Sequence, residues 1–131
     1  MQLTTPDYVI LIVENLDRTL QFYTQVMGLP LGHRSGEYAQ LDTGATRLAF
    51  YTRNAMAQTL DTPLEPPPLS APGFEIGFKV NDVDAAYAEL IEHGATPAAV
   101  PTTRFWGQRT AYVRDPDGHL IELAQQLEKR N

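Results

Sequence analysis

Apolar and polar positions along the chain fall into one arrangement that occurs twice. Tyr8 to Tyr23 reads YVILIVENLDRTLQFY, and Glu75 to Leu90 reads EIGFKVNDVDAAYAEL. Each copy is an apolar run, then an Asn/Asp turn, then a stretch with helical spacing. Val13 answers Val80 at an offset of about 67 residues, and Gly28 answers Gly94 at about 66. Two copies of one supersecondary unit predict a pseudo-symmetric fold with a cleft where the units face each other.

The pattern assigns the elements of each copy. Residues 8–13 are a continuous run of β-branched and aromatic side chains, which predicts a strand buried on both faces. Asn15 is placed to cap a helix. Leu16, Leu20, Tyr23 and Met27 then form one apolar helical stripe. Gly28 suits the left-handed residue that ends many helices. Strands follow at 31–35 and 38–42, then a turn at Asp42-Thr43-Gly44, then a strand over 47–52. The second copy opens with a strand at 74–80. Asp82 caps a helix carrying Val83, Ala86, Tyr87, Leu90 and Ile91, and Gly94 ends it. Strands near 97–100, 108–114 and 119–124 follow, the last two joined by Asp115-Pro116-Asp117-Gly118, a turn sequence. The order β-α-β-β-β, twice, predicts an α+β fold.

Between the copies, Leu60 to Gly73 holds five of the chain's ten prolines. Proline removes amide donors and fixes φ, so regular structure is not expected there. The segment reads as a linker, with a lid or a partner-docking strip as alternatives. A chain of 131 residues is one compact domain. Its first module covers about 5–53, its linker about 54–73 and its second module about 74–126.

Strand alternation sorts side chains between the helix-covering face and the cleft face. Val9, Leu11 and Val13 cover the helix, which leaves Tyr8, Ile10 and Ile12 opposite. Leu48 and Phe50 leave Arg47, Ala49 and Tyr51 opposite. Phe74, Ile76, Phe78 and Val80 leave Glu75, Gly77 and Lys79 opposite. Ile121 and Leu123 leave Leu120, Glu122 and Ala124 opposite. Glu75 and Glu122 are thus two carboxylates expected within buried strands, which is costly unless they are paired or bound. They are either a site or an ion-pair network with Lys79 and Arg47. His33, His93 and His119 lack ligand spacing and read as surface residues. Phe105-Trp106-Gly107 reads as an aromatic wall of a pocket or as a plug at an interface.

Composition narrows the functional classes. A net charge of −6 with no basic cluster argues against nucleic-acid binding. The absence of cysteine excludes disulfides, thiol nucleophiles and zinc–thiolate sites. The longest apolar run is too short to span a bilayer. The segment MQLTTPD shows no secretory signal, so no membrane association and a cytoplasmic location are expected.

The segments VENLDRTLQFYTQVMGL, VNDVDAAYAELIEHGA and YVRDPDGHLIELAQ resemble the vicinal oxygen chelate superfamily, which includes glyoxalase I, bleomycin-resistance proteins and extradiol dioxygenases. The resemblance implies two tandem βαβββ modules forming a curved mixed sheet around a cleft, and a homodimer. In metal-dependent members, ligands come from the first, fourth, fifth and eighth strands, usually His or Gln, Glu, His and Glu. Here those positions hold Tyr8, Ala49, Glu75 and Glu122, and only Glu122 matches. The segment FWGQRTAYVRDPDG is similar to the matching stretch of bleomycin-resistance proteins, which sequester drug without metal catalysis. The resemblance therefore implies a small-molecule binder without a cofactor. Its ligand-binding residues would be Tyr8, Arg47, Tyr51, Glu75 and Trp106, with aromatic stacking and a preference for cationic ligands. The alternative is an enzyme, a lyase, isomerase or dioxygenase. Glu122 would be its catalytic base, or Glu75 and Glu122 would hold Mn, Fe, Ni or Zn.

Overall fold

The computed structural model describes residues 1–3 and 5–128. The chain divides into two compact units, Met1–Pro66 and Pro67–Asn131.

In the first unit, β1 (Tyr8–Val13), β2 (Leu31–Ser35), β3 (Tyr38–Leu41) and β4 (Arg47–Thr52) form one mixed sheet in the order β1-β4-β3-β2. β1 runs parallel to β4, with Tyr8 opposite Arg47, Ile10 opposite Ala49 and Ile12 opposite Tyr51. Helix α1 (Leu16–Leu20) begins where expected: the Asn15 side chain accepts from the Arg18 amide at 2.9 Å. It continues as a π-helical segment, Gln21–Val26, closed by the Met27 amide donating to the Phe22 carbonyl five residues back. The wider turn buries Phe22 and Tyr23 together, and Tyr23 packs on Phe50 at 4.8 Å between ring centroids. Gly28 follows at φ 78°, the left-handed conformation its place required.

The strand 8–13 is not buried on both faces. Leu11 and Val13 are sealed in the core with Leu48 and Phe50, whereas Tyr8 and Ile10 are 54% and 44% exposed. Alternation marks which face the helix covers, but an apolar run gives no sign that its opposite face stays in solvent. The segment expected to be a linker also begins differently. Helix α2 (Arg53–Leu60) forms directly after β4, capped by Thr52 accepting from the Ala55 amide at 3.2 Å. The prolines start at Pro63, beyond the helix, so they do not oppose it.

The second unit repeats the plan. β5 (Glu75–Lys79), β6 (Thr96–Thr103), β7 (Gln108–Arg114) and β8 (Leu120–Gln126) form a mixed sheet in the order β5-β8-β7-β6, with β5 parallel to β8. Helix α3 (Val83–Glu92) starts at Asp82, whose carboxylate accepts from the Ala85 amide at 3.1 Å. Val83, Leu90, Val113, Ile121 and Leu123 form the core of this unit. Arg109 clasps Asp84 with two hydrogen bonds, at 2.8 and 2.9 Å, tying β7 to α3. Phe74 departs from expectation. It precedes β5, is 51% exposed and lies near His119 instead of covering the helix. Among the described residues, no helix is long and apolar enough to cross a membrane.

Candidate functional site

Pairing in the second sheet assembles a polar cluster on its open face. β8 lies between β5 and β7, and the register sets Gly77, Glu122 and Tyr112 side by side. The Tyr112 hydroxyl donates to Glu122 Oε2 at 2.6 Å, a short charge-assisted bond. On the other flank Gly77 has no side chain, and a Cβ built there would lie 3.5 Å from Glu122 Oε1. One carboxylate oxygen is therefore held by a phenol while the other borders an open position. Glu75 enters from the first residue of β5, diagonal to Glu122. Partial burial and then the neighbouring Glu122 charge raise its carboxyl above the usual range. The side chain remains exposed, so solvent screening keeps that effect small in energy. The Tyr112 phenol is raised as well, first because its proton bonds Glu122 and then by burial and the carboxylate charges.

The ion-pair alternative for the two carboxylates is not realised within this unit. Among the described residues, Lys79 pairs with neither Glu75 nor Glu122. Nor is Glu75 the buried carboxylate the sequence suggested: opening an edge strand leaves it in solvent, and only Glu122, in the middle of β8, is half-buried.

Tyr112 is the member that sequence reading missed. Its signal was present in the hairpin: a turn at Asp115–Gly118 that pairs Arg114 with Leu120 necessarily pairs Tyr112 with Glu122. Beside it, the Arg104 Nε donates to the Thr110 hydroxyl at 2.9 Å, and the Trp106 indole N–H donates to Gln108 Oε1 at 2.9 Å. Trp106 is thereby fastened to β7 with half its surface exposed, and Phe105 meets it edge-on at 5.0 Å.

The remaining sequence-derived candidates lie on the open face of the first sheet. Tyr8 opposes Arg47, and both influence Tyr38, whose phenol is raised by burial and by Tyr8 and lowered by Arg47. Tyr51 opposes Ile12, four residues from Tyr8 along the strands, or about 13 Å. It stands edge-on to Tyr38 at 6.4 Å and shares a hydrogen bond with Thr59 at 3.0 Å. Tyr8 and Tyr51 therefore do not form one stacking surface.

His119, expected on the surface, is instead built into the β7–β8 turn. Its Nδ1 lies 2.8 Å from Asp115 Oδ2, and Asp115 Oδ1 accepts from the Asp117 and His119 amides at 2.9 Å each. Asp115, Asp117 and His119 place potential ligand atoms within 4.8 Å of one another. The buried Asp115 already uses both oxygens to close the turn, however, and the trio reads as a structural clasp.

The family pattern described as the Glyoxalase/Bleomycin resistance protein/Dioxygenase superfamily matches residues 5–123. The chain belongs to this superfamily. It is 34% identical to the uncharacterized protein YraH of Bacillus subtilis over 89% of this chain and 94% of that relative. A superfamily member from Nocardioides superposes with a TM-score of 0.83 at 22% identity, covering 100% of this chain and 89% of its own, which speaks for the fold alone. TnmS3, an antibiotic binding protein from Streptomyces sp. CB03234, superposes with a TM-score of 0.71 at 26% identity over 96% of this chain and 98% of its own.

Superfamily members that use a metal need a set of imidazole and carboxylate donors, and this chain does not supply it. Ala49 has no donor atom and is buried against Gln40 in the register. Gly77 and Tyr112, not imidazoles, flank Glu122. His33 is exposed on β2 and joins the open face of the first sheet through Gln40, His93 is exposed at the end of α3, and neither lies on the first, fourth, fifth or eighth strand; His119 is committed to Asp115. The residues present do not fit the superfamily's metal site.

Proposed function

We propose that the protein binds a small, cationic organic molecule without a resident metal, on the open face that carries Glu75, Tyr112 and Glu122. The observation that supports this reading is the arrangement around Glu122. Its carboxylate is oriented by the Tyr112 hydroxyl on one side and left accessible by Gly77 on the other. Among the described residues, neither Glu122 nor Glu75 is ion-paired with a cation of this unit, so a ligand ammonium or amidinium would supply the missing charge. Trp106 adds an exposed aromatic surface on the same unit. The antibiotic binding of TnmS3 is compatible with such a role; Tyr8, Arg47 and Tyr51 are proposed as ligand positions on the first sheet. A homodimer in the cytoplasm is part of this reading, and light scattering of the purified protein would test the dimer.

The test is calorimetric titration with aromatic cations, starting with benzamidinium. Saturable binding that is lost in Glu122→Gln supports the reading. No binding at millimolar concentration by protein with an unchanged circular dichroism spectrum overturns it. Stoichiometric Mn, Fe, Ni or Zn after reconstitution overturns its metal-free part.

A second reading is an acid–base enzyme. Two neighbouring carboxyls with Glu75 raised, together with the phenolic proton on Glu122, could move a proton beside a carbonyl. Turnover that survives Glu122→Gln would exclude it.

A further inference from the structure

The same open face carries a second polar feature at its far end. A cavity of about 240 Å³ is lined by Lys79 at the end of β5, Asn81 just beyond it, Gln108 at the start of β7 and Gln126 at the end of β8. Lys79, Gln108 and Gln126 alternate onto the face that holds Glu75, Tyr112 and Glu122. Gln108 is four residues from Tyr112 along β7, which places the two groups about 13 Å apart.

The donors and acceptors in the cavity are oriented. Gln108 Oε1 is occupied by the Trp106 indole N–H, which leaves the Gln108 NH₂ as its free polar group. Among the described residues, Lys79 has no anionic partner. An ammonium and an amide NH₂ are complementary to an anion with two acceptor oxygens. Glu75 lies four residues from Lys79 along β5, about 13 Å, beyond the Debye length of about 8 Å at physiological salt, whereas Glu122 is diagonal to Lys79 at about 7–8 Å and forms no ion pair with it. The volume falls below the roughly 300–1,000 Å³ that encloses a whole drug-sized ligand, so the cavity fits one end of a molecule.

We propose that this cavity is a carboxylate-binding subsite, with Lys79 and the Gln108 amide as its donors. It deepens the function proposed above and rests on it only for the ligand class. A ligand filling both places would be zwitterionic, with its basic group at Glu122 and its carboxylate at Lys79, residues about 7–8 Å apart across the β5–β8 pair.

Two probes separate the two claims. Benzoate and benzamidinium are titrated separately into ¹⁵N-labelled protein, and the side-chain NH₂ signals of Asn81, Gln108 and Gln126 are followed. Benzoate is expected to shift these signals saturably. Lys79→Met should weaken it about five- to tenfold, whereas Glu122→Gln, which removes a nearby negative charge, should not weaken it. Benzoate that leaves these signals unmoved while benzamidinium still binds overturns the subsite and spares the cation site. The reverse outcome overturns the cation site and spares this one. Equal benzoate affinity in the wild type and Lys79→Met overturns the assignment of Lys79.

Discussion

Replacing Tyr112 by Phe removes one hydroxyl and leaves the ring. The lost contact is the 2.6 Å bond from the phenol to Glu122 Oε2. Hydrogen bonds to charged groups contribute about 1.5–3 kcal/mol. Both partners are half-buried, so water replaces part of the bond, and a loss of about 1–1.5 kcal/mol is expected. For a chain of this size that lowers Tm by about 3–6 °C. Urea unfolding of the wild type, Tyr112→Phe, Glu122→Ala and the double variant gives the coupling between the two side chains, expected near 1 kcal/mol. The pH dependence has a definite sign. The folded phenol titrates above the ordinary tyrosine range, so the bond contributes fully below about pH 10 and is lost as pH rises through the folded value. Phenolate absorbance, as the difference between wild type and Tyr112→Phe, should show one tyrosine ionising late, and that delay should shrink in Glu122→Ala. A coupling below about 0.3 kcal/mol, or a Tyr112 that titrates no later without Glu122, would refute the proposed orientation of the carboxylate.

Three further outcomes follow from the same geometry. Asp115→Ala removes a buried acceptor of three hydrogen bonds and should cost about 2–4 kcal/mol in urea unfolding, with faster amide exchange at Asp117 and His119. Gly77→Ala places a methyl 3.5 Å from Glu122 Oε1, an ordinary contact; stability should hold or rise by up to about 1 kcal/mol while benzamidinium binding weakens. Glu75 has a raised carboxyl in the folded state, so its contribution is fully present below the unfolded value near pH 4.3 and is lost as pH rises through the folded one. Glu75→Gln should therefore match the wild type at pH 3.5 and be the more stable of the two at pH 7; equal stability at both pH values would count against the effect.

Most of the scaffold was legible because its signals are local. The caps at Asn15 and Asp82 and the glycines at 28 and 94 depend on backbone groups within a few residues, and all four behave as expected. Alternation correctly sorted Leu11, Val13, Leu48, Phe50, Ile121 and Leu123 into the cores. It failed at Phe74, where β5 begins one residue later, and at helix α2, where the prolines that follow drew attention from a capped helical start.

The candidate site was legible only in part. Glu122 could be found because a carboxylate in a strand of apolar neighbours stands out. Tyr112 does not stand out in the same way, because a tyrosine in a strand is ordinary; only its place in the hairpin opposite Glu122 marks it. Strand order and register decide that Gly77, Glu122 and Tyr112 are adjacent, that Tyr8 and Tyr51 are not, and that Asp115 claims His119. The sequence by itself determined the repeated β-α-β-β-β plan, since periodicity and capping are read over a few residues. Only the tertiary structure decided which side chains meet, because hydrogen bonding between strands joins positions whose distance along the chain carries no local signal.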